Sequence, residues 1–283
     1  MNTIFRLLQL VPLVSVFFFC GLLSAKAANA VDHMPGMGAQ SPIDIRSDAT
    51  YFGRLPALQF NFSSNTNLDV TNTGAPAMDA TVRADVAAGA GSVTLGGDTY
   101  NLSQFHFSAP GEHLLNGQRS AMEVHLVFAD ASNNLLVVGR WINQGSFNSA
   151  LDPIFSDLPQ KTGDHLAVNS FNLNSLLPEN LESFRYTGSL PGTSFTEGVK
   201  WANLAQPLEM SAAQIQNFQT LFPMGNAHPV QPLNGRIILT DVPGFVTAVP
   251  EPETYAMLLA GLVLIGFITR RRFANPGFMN SIA

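Results

Sequence analysis

Two short runs fix the character of this chain: Gln104-Phe105-His106-Phe107-Ser108, and after a turn-rich interval Glu123-Val124-His125-Leu126-Val127-Phe128. Polar and apolar positions alternate with a period of two through the first run and over Glu123 to Leu126 in the second, the pattern of an extended strand whose residues i and i+2 share a face. His106 and Ser108 therefore aim at one point, and His125 reaches that point from a second strand. Two imidazoles and one hydroxyl arrive there.

The same alternation, punctuated by Gly, Pro and Asn, runs through Asn67 to Val70, Ser92 to Leu95, Tyr100 to Phe107 and Met122 to Phe128. The middle of the chain is mainly strand. Gly96-Gly97 predicts a tight hairpin feeding the His106 strand, and Leu135 to Ile142 reads as a strand buried on both faces. Helices are expected over Ser149 to Leu158 and over Ser211 to Phe222, the second opening with Ser211 as N-cap.

With a middle region of about 220 residues, the chain suits one sizeable domain with a substantial core. Between Val31 and Val249 it carries 9 Lys+Arg against 18 Asp+Glu, a net charge of 9 − 18 = −9, which argues against nucleic acid as a partner. The single cysteine, Cys20, lies in the leading apolar stretch, so the domain itself has no disulfide and no thiol chemistry. Residues 1–30 read as an export signal: Arg6 is the positive flank, Leu7 to Leu23 the apolar stretch, and Ala25-Lys26-Ala27 or Ala28-Asn29-Ala30 the small-residue cleavage site. The expected layout continues with a domain over 31–240, a linker over 241–248, a sorting and anchor segment over 249–273 and a tail over 274–283.

A wider series of segments resembles the alpha-class carbonic anhydrases. Besides the two histidine runs it comprises Gln40-Ser41-Pro42-Ile43-Asp44-Ile45, Leu176-Leu177-Pro178-Glu179-Asn180, Arg185-Tyr186-Thr187-Gly188-Ser189-Leu190, Glu197-Gly198-Val199-Lys200-Trp201 and Gln231-Pro232-Leu233-Asn234-Gly235-Arg236, in family order over residues 40 to 240. The resemblance implies a mainly β fold: a large, twisted, mostly antiparallel central sheet with short peripheral helices and a cone-shaped cleft. It also implies zinc as cofactor, held by three histidines, with hydration of carbon dioxide as the reaction. At the other end, Val249-Pro250-Glu251-Pro252-Glu253-Thr254, an apolar run from Tyr255 to Ile268 and Arg270-Arg271-Arg272 resemble the PEP-CTERM signal of Gram-negative exosortase substrates. That resemblance implies an exosortase-type enzyme and the export machinery as partners. It also implies transient membrane contact through 255–268 and delivery to the periplasm, the cell surface or the extracellular matrix.

Carried over position by position, His106 and His125 take the first and third metal-ligand places and Ser108 the second. A neutral hydroxyl is a poor substitute for imidazole. Gln104 and Glu123 match the residues that orient the two histidines, Asn226 the residue whose backbone carbonyl orients the missing one, and His113 a neighbour that ties in the active-site carboxylate. Glu112 matches that carboxylate, the relay to a threonine hydroxyl. The threonine is replaced by Pro191, followed by Gly192, and proline offers neither hydroxyl nor N–H. Ala75 stands where the family often has a proton-shuttling histidine. His33, His165 and His228 lack ligand spacing, with His33 and His228 read as loop residues and His165 as part of a polar turn. These departures imply an exported, surface-sorted protein in which zinc-dependent hydration is lost or strongly weakened. It would serve as a binding or structural domain toward an exopolysaccharide or envelope ligand. The alternative is an active zinc carbonate dehydratase with a non-standard third ligand.

Overall fold

The computed structural model describes residues 38–74, 80–191, 196–246 and 252–274. The leader, His33, Ala75 and Gly192 lie outside them. Twelve strands form one mixed sheet. Its spatial order is His165–Phe171, Thr66–Asn72, Val82–Val86, Asp98–Ser108, Met122–Ala129, Leu135–Gln144, Glu197–Met210, Ser183–Ser189, Ile238–Thr240 and Thr50–Phe52. Gln59–Phe62 and Gly91–Leu95 extend the sheet beside the start of Asp98–Ser108. Neighbours are antiparallel except Leu135–Gln144 with Glu197–Met210 and Ile238–Thr240 with Thr50–Phe52. A three-stranded sheet of Asp44–Ile45, Leu114–Leu115 and Gln118–Arg119 lies apart from it.

The alternation read in the sequence sorts side chains between two cores. Phe105, Phe107, Val124, Leu126 and Phe128 enter the larger one, whereas Val127, Val137, Trp141, Tyr186, Val199 and Trp201 form a second. Met122–Ala129 is buried on both faces, so its polar residues Glu123 and His125 persist only because neighbouring groups bond them. Gly96 and Gly97 adopt φ of +64° and +98° in the two-residue loop between Leu95 and Asp98, the backbone a tight hairpin needs.

Ala212–Leu221 is a helix with the expected N-cap: Ser211 Oγ accepts from Gln214 N, and the Gln214 side chain returns a bond to Ser211, a complete capping box. The helix expected from Ser149 to Leu158 shrinks to Asp152–Phe155. Pro153 is tolerated in its first turn, but Pro159 and the local bonds of Ser156 leave no room to extend it. His165 opens a strand instead of closing a turn, with Nδ1 2.9 Å from Asp69 Oδ1. The expected linker from Asp241 packs against the domain at least as far as Phe245. Asp241 Oδ1 accepts from Ser183 N at 2.8 Å, and the Phe245 ring lies 4.5 Å from that of Phe184. Beyond it, Pro252–Ala274 is helical. No helix among the described residues is long and apolar enough to cross a membrane.

Candidate metal and catalytic site

Strand register brings the site together. His106 and His125 are directly paired, Arg83 pairs with His106 on the far side, and Gly139 then Asn203 continue the row. Directly paired residues share a face, so one transverse row carries a guanidinium, two imidazoles, a gap and an amide. A cavity of about 280 Å³ opens at its Arg83–His106 end, lined by Arg83, Gln104, His106, Ser108, Glu112, Pro191, Asn226 and His228 among others.

Glu123 is fully buried. Its Oε2 accepts from the backbone N–H groups of Glu112 and His113, both at 2.8 Å. Its Oε1 accepts from His113 Nδ1 at 2.9 Å and Asn203 Nδ2 at 3.2 Å. His125 Nε2 also lies 3.0 Å from Oε1, close enough for an ion pair but out of line for a hydrogen bond. Burial works to raise the Glu123 carboxyl, and the His113 and His125 imidazoles outweigh it, holding the group far below the ordinary carboxylate range. Gly139 makes room for this hub: a Cβ there would stand 2.6 Å from Asn203 Nδ2 and 3.1 Å from Glu123 Oε1.

His113 was expected to tie the relay carboxylate and does not. It donates to Glu123, and its Nε2 accepts from Tyr186 Oη at 2.7 Å, which in turn meets Ser41 Oγ at 2.8 Å. The partner of Glu112 is a residue that strand spacing could not find. His228, on the loop after Asn226, donates to Glu112 Oε1 from both its backbone N at 3.0 Å and its Nδ1 at 2.6 Å. The one clue in the sequence was its place between Asn226 and the Gln231–Arg236 motif, a stretch that folds back over the strand ends.

His106 Nδ1 meets Gln104 Oε1 at 3.0 Å, and an amide oxygen only accepts, so Nδ1 carries the proton and Nε2 is a lone-pair donor to the cavity. Burial, with the His125 charge adding to it, pushes the His106 imidazole down to about 3. For His125 burial acts in the same direction, but Glu123 and then Glu112 overcome it and raise the ring above its ordinary value. The two rings stand nearly perpendicular with centres 5.2 Å apart. His125 Nδ1 is 3.6 Å from Glu112 Oε2. Ser108, 3% exposed, presents a hydroxyl with no hydrogen-bond partner, and Glu112 Oε2 is likewise buried without one. Asn226 straddles Ser108 without bonding it: its Oδ1 accepts from Ala109 N at 2.8 Å and its Nδ2 donates to Phe107 O at 3.1 Å.

The zinc ion implied by the resemblance would meet two imidazoles here and, in the remaining place, the orphaned hydroxyl of Ser108. These residues do not fit a three-histidine centre. Among the described residues the tightest group of metal-binding donors is His113, Glu123 and His125. Both ring nitrogens of His113 are already engaged in hydrogen bonds there, which makes that group a structural hub.

The family described as Eukaryotic-type carbonic anhydrase matches residues 29–242, and the PEP-CTERM protein-sorting motif matches residues 248–272. The chain is 34% identical over 200 residues to a carbonic anhydrase of Neisseria gonorrhoeae, covering 71% of this chain and 76% of that one. It is 30% identical over 267 residues to human mitochondrial carbonic anhydrase 5B, covering 80% and 82%. Among solved structures, the alpha-carbonic anhydrase of Thermovibrio ammonificans in complex with sulfanilamide aligns with a TM-score of 0.67 at 33% identity, over 72% of this chain and 87% of that one. That of Photobacterium profundum gives 0.64 at 32%, over 72% and 90%. The sorting motif implies processing by an exosortase-type enzyme and export to the cell envelope. With this fold, this row of residues and these relatives, the chain belongs to the alpha, or eukaryotic-type, carbonic anhydrase family.

Proposed function

We propose that this is an exported carbonic-anhydrase-fold protein whose hydration of carbon dioxide is lost or strongly weakened, and which serves as a binding or structural domain of the cell envelope. The observation that carries the reading is Ser108: a buried hydroxyl without a partner, on the His106 face, in the place of a third imidazole. Attack on carbon dioxide near neutral pH needs a hydroxide, and water gives one up only at about pH 15.7 unless a metal lowers that value to about 7. A second loss is independent of the first. Pro191 lines the cavity where a hydroxyl would orient the attacking oxygen through Glu112, and His228 holds the other oxygen of that carboxylate. The alternative, hydration through a metal with a non-standard third donor, needs a further group that meets both histidines. Glu112 Oε2, 3.6 Å from His125 Nδ1, favours it to that extent.

The test is stopped-flow hydration of carbon dioxide by the purified protein, with its zinc content measured on the same sample. Turnover at least about 100-fold below an active relative is expected, and Ser108→His with Pro191→Thr should recover part of it. Stoichiometric zinc with fast turnover that a sulfonamide abolishes would overturn the reading.

A further inference from the structure

We propose that the cavity binds a hydroxylated carboxylate of monosaccharide size, a hexuronate, with Arg83 taking the carboxylate and His106 Nε2 a hydroxyl. This deepens the binding reading above and rests on it: where the residues do not fit zinc, the charge on the cavity wall is that of the protein's own side chains.

Strand register sets out those charges in order. Arg83, His106 and His125 are neighbours across three adjacent strands, and Glu112 Oε2 lies 3.6 Å from His125 Nδ1. Arg83, His106 and Glu112 line the cavity, so a cation and a carboxylate flank His106 from opposite sides. The outer two of the three strands stand about 10 Å apart. A three-oxygen anion is too short to serve both ends, and a second negative group would be repelled at the Glu112 end. One carboxylate beside Arg83 with neutral hydroxyls beyond it matches this polarity. Arg83 is also underused. Its Nη2 donates to Asp85 Oδ2 at 3.0 Å, whereas its Nε is buried with no acceptor. Asp85 is not a lining residue, and with the two side chains 42% and 44% exposed that pair is a weak competitor. A planar guanidinium fork takes a carboxylate through two bonds at once.

The rest of the wall asks for hydroxyls. His106 Nδ1 donates to Gln104 Oε1, which leaves His106 Nε2 as an acceptor and the Gln104 amide nitrogen as a donor on the cavity wall. A carboxylate without hydroxyls has no proton to offer Nε2 near neutral pH, whereas an alcohol both gives and takes. Val127, Leu190 and Pro191 supply an apolar side for the C–H groups of a ring. Ser108 stands where an imidazole would project beside His106, so ring-sized space stays open there. The cavity of about 280 Å³ falls just below the range of about 300–1,000 Å³ usual for drug-sized ligands, which suits one sugar-sized molecule.

The experiment titrates the metal-stripped, full-length protein calorimetrically with D-glucuronate, D-glucose and acetate. One equivalent of glucuronate is expected to bind, at least about 10-fold more tightly than glucose, which lacks the carboxylate, or acetate, which lacks the hydroxyls. Arg83→Gln should lose about 10–100-fold in glucuronate affinity and His106→Leu about 3–10-fold. Circular dichroism checks each fold, and should Arg83→Gln not fold, Arg83→Lys decides, with about a 10-fold loss expected as the two-bond fork disappears. No glucuronate binding, glucose or acetate bound as tightly as glucuronate, or undiminished affinity in the Arg83 variant would overturn the assignment. Slow hydration of carbon dioxide with no glucuronate bound would sink this assignment alone, whereas fast hydration with stoichiometric zinc would sink the functional reading on which it rests.

Discussion

Glu123 gathers donors that would otherwise be separately buried and unsatisfied, and this concentrates stability in one carboxylate. Replacing it with Gln removes the charge that holds His125 and turns an acceptor into a donor facing Asn203 and His113. A loss of about 3–5 kcal/mol is expected in urea unfolding. Gly139→Ala tests the same hub sterically, since its Cβ would press on Asn203 and Glu123, and about 1–3 kcal/mol should be lost. The histidines give a pH signature in the metal-free protein. Because the folded value of His106 lies at about 3, below its ordinary 6.5, the unfolded chain takes up the proton first. Its contribution is intact above pH 6.5 and drains away as pH falls toward 3. His125, raised, contributes in the opposite sense, its share fading as pH climbs through its elevated value. Melting temperatures between pH 7 and pH 4 should therefore fall less steeply in His106→Gln than in the native chain, and an unchanged slope would refute this account.

At the level of elements, periodicity made legible those strands whose two faces differ in polarity. Asp98–Ser108 alternates over Gln104 to Ser108 and Met122–Ala129 over Glu123 to Leu126, and the residues that pair across those stretches, His106 with His125, were visible as candidates. Glu197–Met210 was not legible as one 14-residue strand, because it is buried along much of its length and Pro207 interrupts the pattern. Val82–Val86 was missed as well, and with it Arg83 beside His106. Proximity created by a returning loop, as for His228 and Glu112, leaves no periodic signal, only the position of His228 between two recognisable segments. Arg140 shows a further long-range dependence, at the register shift where Leu135–Gln144 pairs with Glu197–Met210. Its guanidinium donates to the carbonyls of Leu176, Gln206 and Pro207 at 2.9, 2.9 and 3.1 Å. Arg140→Met should lose about 2–4 kcal/mol by leaving those carbonyls without their donor, read as a lower urea midpoint.

Across the whole molecule, a domain of the carbonic anhydrase family is joined to a sorting motif, and the packing of Phe245 fixes how much chain lies between them. A chain ending at Val246 should melt like the native domain, whereas one ending at Thr240 should be about 1–3 kcal/mol less stable through loss of the Asp241 bond to Ser183 and the Phe245 contact. Equal stability of the two truncations would show that the segment adds nothing.

That contact also shortens the leash. Residues 247–251 alone remain between the last packed stretch and the helix that begins at Pro252, and five residues reach at most about 17 Å even when fully stretched. An enzyme that cut within those five residues would work within about 17 Å of the folded surface. If the tail is what fastens the protein, its domain would ride within a couple of nanometres of the point of attachment, with little freedom to wander into the surrounding matrix.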